Sequence, residues 1–184
     1  NGVHVKKYNL VFIGCGAICT QIITYLNTHM PNKYDIKMIV DNHIERTNEI
    51  CAKLNISPII TDQFDDYLNL TNIDIVVESA SVNSVQNYAI DILKKSDLLI
   101  ASVGALSDVK FYSDLLSESA SHNNNLIIPH GAIGGLDAIS AVKDSISFIK
   151  ITTTKSPASL IGAKGFKEYE NYNFDTAKTI FEGS

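Results

Sequence analysis

At 184 residues, with 45% hydrophobic and 19% charged content, the chain has the length of one large domain or one and a half ordinary ones, in a normal globular balance. A formal charge of −5 and a pI near 5.4 accompany 15 scattered basic residues, which leaves no footprint for nucleic acid or an anionic membrane surface. The opening NGVHVKKYNLVFIGC enters a strand-like run without the charged, long-apolar and cleavage regions of a secretory signal, and no later run reaches membrane-spanning length, so the cytoplasm is the expected compartment.

In chain order, strands are predicted at 8–13, 36–40, 58–60, 74–78, 98–103 and 126–128, with helices at 17–29, 44–54, 82–95 and 108–122 between them. Ile22, Ile23 and Leu26, and later Tyr88, Ile92 and Leu93, fall at core-facing helical spacing. The strands are continuously apolar, as strands covered on both faces must be, and the alternation predicts a doubly wound α/β sheet of the Rossmann type. After residue 124 the character changes: LIIPHGAIGGLDAI reads as a strand, a glycine-rich turn and a helix start. A long strand is then expected over 146–154, where Ile146, Phe148 and Ile149 could cover their own core or pack a dimer sheet, followed by a Lys- and Tyr-rich stretch. The expected boundary lies near 107, separating a dinucleotide-binding domain, 1–107, from the start of an incomplete α+β domain for catalysis and dimerisation, 108–184.

The stretch VFIGCGAIC places Gly14-Cys15-Gly16-Ala17-Ile18-Cys19 between the first strand and the first helix, where a pyrophosphate would lie over a helix N-terminus. Gly14 permits the tight turn and Gly16 lets the backbone approach the phosphates, while Cys19, standing where a third glycine is usual, is still small enough for close helix–strand packing. Asp41, at the end of the second strand, is placed to accept from the adenosine ribose hydroxyls; the alternative is a helix cap. Its carboxylate repels a 2′-phosphate and Arg46 partly offsets this, so NAD is favoured with NADP as the alternative. The fourth and fifth strands end in small residues, Ser79-Ala80-Ser81 and Ser102-Val103-Gly104-Ala105, which leave room for a nicotinamide ring. Cys15, Cys19 and Cys51 are odd in number and lack C-x-x-C spacing, so neither a metal site nor a disulfide framework is expected, and the first two read as small packing residues beside the turn, with a redox pair as the alternative.

In this order, Gly14-Cys15-Gly16-Ala17-Ile18, Val76-Val77-Glu78-Ser79-Ala80-Ser81, Ser102-Val103-Gly104-Ala105, the run from Pro129 through Gly131-Ala132-Ile133-Gly134-Gly135 to Ile139, and Thr153-Thr154-Lys155 resemble the motifs of the archaeal and bacterial L-aspartate dehydrogenases. The resemblance covers essentially the whole chain. It implies NAD-dependent oxidation of L-aspartate to iminoaspartate, which hydrolyses to oxaloacetate and ammonia or feeds NAD biosynthesis; the expected partners are a dicarboxylic amino acid and a second copy in a homodimer. Cofactor contacts carried over or read from the loops are Gly14, Gly16, Ala17, Ile18, Asp41, Ala80, Ser81, Val103, Gly104 and Ala132. The glycines from Gly131 to Gly135 open a helix whose free N–H groups suit a carboxylate or the nicotinamide amide. Lys155 is a candidate cation for the dicarboxylate, with a solvated strand-end lysine as its alternative.

His130 stands where the family usually carries a small hydroxyl residue, and reads either as a general base or as a structural imidazole. The family pattern continues past the position of Ser184 into an asparagine-bearing cofactor segment and the histidine assigned to catalysis. The chain is therefore expected to be a C-terminally truncated member that binds cofactor without turnover. Two alternatives stand beside this reading: a catalytically silent nucleotide-binding module, and another amino-acid dehydrogenase comparable to homoserine dehydrogenase.

Overall fold

The computed structural model describes residues 6–131, 133–161, 165–169 and 171–183, which divide into two compact units, one ending at Gly134 and the other starting at Gly135. The first is a six-stranded, all-parallel sheet. Its strands are Tyr8–Ile13 (β1), Tyr34–Val40 (β2), Ile59–Thr61 (β3), Ile75–Glu78 (β4), Asp97–Ile100 (β5) and Leu126–Ile127 (β6), in the spatial order β3-β2-β1-β4-β5-β6. This is the doubly wound Rossmann architecture expected from the alternating pattern.

The central strand shows why its run had to be apolar throughout. Successive side chains of a strand point to opposite faces. In β1, Val11 and Ile13 enter one buried cluster with Val76, Val85, Ile92, Leu93, Leu98 and Leu115, whereas Leu10 and Phe12 enter another with Cys15, Cys19, Ile23, Ile39 and Cys51. Helices Ala17–His29 (α1) and Ile44–Leu54 (α2) cover the second face; Val82–Leu93 (α4) and Val109–His122 (α5) cover the first, beside the short Asp65–Leu68 (α3).

Local chemistry sets the helix limits. Ser81 Oγ accepts from Ser84 N–H at 3.1 Å to start α4, and Asp108 Oδ1 accepts from Phe111 N–H at 3.0 Å to start α5. Asn55 and Asn123, in the left-handed region at φ 53° and 54°, close α2 and α5.

The expected boundary near 107 falls inside this unit. Helix α5 packs its buried Leu115 into the core, and β6 pairs in parallel with β5, so both are needed to finish the sheet. The fifth strand also stops at Ile100 rather than 103, because Ser102 is captured by a side chain from β4 and a 3-10 turn begins at Val103.

The second unit contains the six-residue helix Leu136–Ala141 (α6) and short 3-10 turns at Lys143–Ser145, Pro157–Leu160 and Lys167–Tyr169. Phe166, Tyr169, Tyr172 and Phe174 cluster, with Lys178 Nζ 4.4 Å from the Tyr172 ring centre. The strand expected over 146–154 does not form. Strand hydrogen bonds need a neighbouring strand; the second unit has none among its described residues, and Phe148 and Ile151 are left exposed.

Candidate functional site

In a sheet of this order the connections reverse direction between β1 and β4, and the loops leaving the carboxyl ends of those strands flank a crevice suited to ligands. Here the two loops meet. A Cβ built on Gly14 would lie 2.7 Å from both Cα and Cβ of Ala80, and Gly14 has φ +87°, so glycine is required twice over. Ser79 N–H donates to Ile13 O at 2.8 Å and Gly14 N–H to Val40 O at 2.8 Å, which seats the turn between its neighbours.

Gly16, two residues on, is different. It has ordinary φ of −79°, and a Cβ there would meet nothing within 4 Å. It is the N-cap of α1 with no side-chain cap, and the first turn holds no acidic residue, so the N–H groups at the start of this 13-residue helix are left for an anion. Ala17 and Ile18 are exposed on that turn.

Asp41 sits at the end of β2 and grips the glycine turn. Its Oδ2 accepts from Cys15 N–H at 2.6 Å and its Oδ1 from His43 N–H at 2.7 Å, while Arg46 Nη2 lies 3.6 Å from Oδ2 and donates to Cys15 O at 3.2 Å. Partial burial works against the charge, but the Cys15 and His43 N–H bonds and the Arg46 guanidinium outweigh it and hold the Asp41 carboxyl below its ordinary pKa. Beneath the turn, a hydrogen bond from Cys19 draws the Cys15 thiol down to about 6 against its burial, and the same contact with burial pushes Cys19 up. All three cysteines are buried and free.

On the other side of the crevice, Glu78 ends β4 with 1% of its surface exposed. Its Oε1 accepts from Ala80 N–H at 2.8 Å, Ser81 N–H at 3.0 Å and Ser102 Oγ at 2.9 Å, and its Oε2 accepts from Ser102 N–H at 3.1 Å. Sequence reasoning missed this role. The only signal was a carboxylate ending an otherwise apolar strand, before two serine-bearing loops. Ala80 and Ser81 are exposed on the β4 loop, and Val103 and Gly104 on the loop after β5.

His130 is exposed three residues beyond β6, the edge strand, and Lys155 is exposed in the second unit. Ala132 lies outside the described residues. The glycine run does lead into α6, but a helix of six residues offers little dipole at its start. Among the described residues there is no cluster that could hold a metal ion and no helix long and apolar enough to cross a membrane.

Residues 14–129 match the family model described as homoserine dehydrogenase, NAD binding domain. The chain is 38% identical over 176 residues to an L-aspartate dehydrogenase of Nitrosopumilus maritimus, covering 93% of this chain and 63% of that protein. It is 30% identical over 173 residues to an L-aspartate dehydrogenase of Methanocaldococcus jannaschii, covering 93% and 64%. The chain thus spans a little under two thirds of the length of these relatives. A crystal structure of aspartate dehydrogenase from Thermotoga maritima superposes with a TM-score of 0.56 at 27% identity, covering 76% of this chain and 52% of that one. The WlbA dehydrogenase of Bordetella pertussis, in complex with NADH and UDP-GlcNAcA, reaches a TM-score of 0.63 at 14% identity over 87% and 51%, a likeness of fold alone.

Proposed function

The chain belongs to the L-aspartate dehydrogenase family and carries an NAD-binding domain of the homoserine dehydrogenase type, and from that premise we propose NAD-dependent oxidation of L-aspartate to iminoaspartate as its activity. The imine then hydrolyses to oxaloacetate and ammonia or enters NAD biosynthesis. When bound, NAD accepts the hydride that leaves the α-carbon. The observation that carries this reading is the turn at Gly14, packed against Ala80, followed by the uncapped helix start at Gly16.

The residues present fit such a cofactor. Gly14 and Gly16 keep the turn tight and open, and the N–H groups around Gly16, Ala17 and Ile18 receive the pyrophosphate. Ala80, Ser81, Val103 and Gly104 line the nicotinamide end, and the family resemblance adds Ala132. Asp41 receives the adenosine ribose with the lone pairs that its two backbone contacts leave over. Lys155 and His130 are the candidates in this chain for holding the dicarboxylate and for moving a proton. NADP as a second cofactor rests on Arg46 beside Asp41, and a cytoplasmic homodimer rests on the sequence reading alone.

Asp41→Ala is expected to lower NAD affinity about tenfold, the scale of losing charge-assisted hydrogen bonds, and to lower NADP affinity less, because the same change removes repulsion of a 2′-phosphate. Titration with both nucleotides checks this; an unchanged NAD-to-NADP ratio would count against Asp41 at the ribose. The sign with pH follows from the lowered pKa: the carboxylate's hold on the turn is complete above the ordinary carboxylate value and is lost as pH falls through the lowered one. Turn stability should therefore persist through neutral pH and weaken only in acid.

A nucleotide-binding module without turnover is favoured by one observation. The loops Gly14–Ile18, Ser79–Ser81 and Ser102–Gly104 bring no acid or base of their own except the buried Cys15 thiol. NADH formation, with L-aspartate or L-homoserine as the reductant, separates the readings when run on this chain and on one extended to the relatives' length. The expected result is aspartate-dependent NADH in the extended chain, where a nucleotide-binding module would give none. Comparable turnover of homoserine would remove the substrate assignment, because a site matched to a second carboxylate leaves a neutral hydroxyl without charge-assisted partners.

A further inference from the structure

Asp41 anchors the glycine turn from the β2 side, but the two loops on the far side of the crevice have a separate anchor, the buried carboxylate of Glu78. We propose that Glu78 is a positioning residue for the nicotinamide half of the cofactor, setting the loops after β4 and β5 in one fixed arrangement; this rests on the NAD-binding reading above. Both strand exits are tied to the same residue. Glu78 takes the N–H groups of Ala80 and Ser81 from its own loop and the N–H and hydroxyl of Ser102 from the next one. Its main chain joins in, since Ala101 N–H donates to Glu78 O at 2.9 Å.

The consequences reach the crevice through short connections. Ser81 is the N-cap of α4, so the start of that helix is placed by the same carboxylate. Ser102 is the N-cap of the 3-10 turn that carries Val103 and Gly104, and the side of Gly104 where a Cβ would stand is 3.4 Å from Val82 Cγ2 at the start of α4. The two loops are thus held to each other as well as to Glu78. Four donors converge on two oxygens, an arrangement that an amide cannot copy: in Gln one oxygen becomes an N–H₂ group facing N–H or O–H donors.

Because the glycine turn keeps its own ties to Asp41 and Val40, the two halves of the cofactor should respond separately. The test is titration of Glu78→Gln and Ser102→Ala with NADH and with ADP-ribose, which lacks the nicotinamide, alongside thermal melting. Glu78→Gln is expected to weaken NADH about tenfold, the size of a lost hydrogen bond to a charged group, with ADP-ribose affinity kept. Ser102→Ala, which keeps both carboxylate oxygens and removes one donor, should show a smaller loss in the same direction, and it decides the matter if Glu78→Gln does not fold. Equal losses for the two ligands, or wild-type NADH affinity in both variants, overturns the positioning role. A wild-type chain that binds neither ligand overturns the cofactor reading itself.

Discussion

Gly14→Ala is expected to destabilise the first unit by about 3 kcal/mol, the sum of a side chain forced into a left-handed backbone conformation and of overpacking against a neighbour that cannot yield. The neighbour is main chain: the new Cβ would stand 2.7 Å from Ala80 Cα and 2.8 Å from Ala80 N. Ala80 is itself held by Glu78 through its N–H, so its retreat would break a buried carboxylate contact. Denaturant unfolding of the variant against the parent measures the difference, and NAD affinity should fall with it. A variant that unfolds with the parent would mean that the β1 and β4 loops do not meet as described.

Gly16→Val should show the opposite balance: a stability loss of at most about 1 kcal/mol, from an apolar residue at the helix N-cap, and NAD affinity cut about a hundredfold or more by filling the space where the backbone must approach the pyrophosphate. The structural reason for the contrast is that Gly16 has a φ that any residue adopts and no heavy atom within 4 Å of its Cβ direction. Side-by-side titration and melting of the two glycine variants separates a folding requirement from a binding one. Unchanged NAD affinity in a folded Gly16→Val protein would remove the turn from the cofactor site.

Much of the Rossmann sheet was readable before any tertiary information. The limits of β1, α1 and α2 were read as the structure has them, because each is written locally: a continuous apolar run, a glycine turn, a 3.6-residue period. The glycine turn with Asp41 at the next strand end was also legible, since the spacing follows from the βαβ unit itself. The length of the first unit was not. Helix α5 and strand β6 have the same local character as the elements before them, and only their pairing and packing on the sheet shows where they belong.

The strand expected at 146–154 marks the other limit. Its alternating Ile146, Phe148 and Ile149 satisfy a pattern, but pattern supplies no hydrogen-bond partner, and a lone strand leaves its N–H and C=O groups to solvent. What the sequence by itself determined is therefore the alternation of strands and helices, the two-sided burial of the sheet and the glycine turn ahead of α1. What only the tertiary structure decided is the work of the two carboxylates. Asp41 reaches back 26 residues to Cys15, and Glu78 reaches forward 24 to Ser102, so both depend on which strands became neighbours in the sheet. Those long reaches are a property of the folded order β2-β1-β4-β5 and not of any stretch of chain, because each carboxylate adds donors from a neighbouring strand's loop to the ones its own loop supplies.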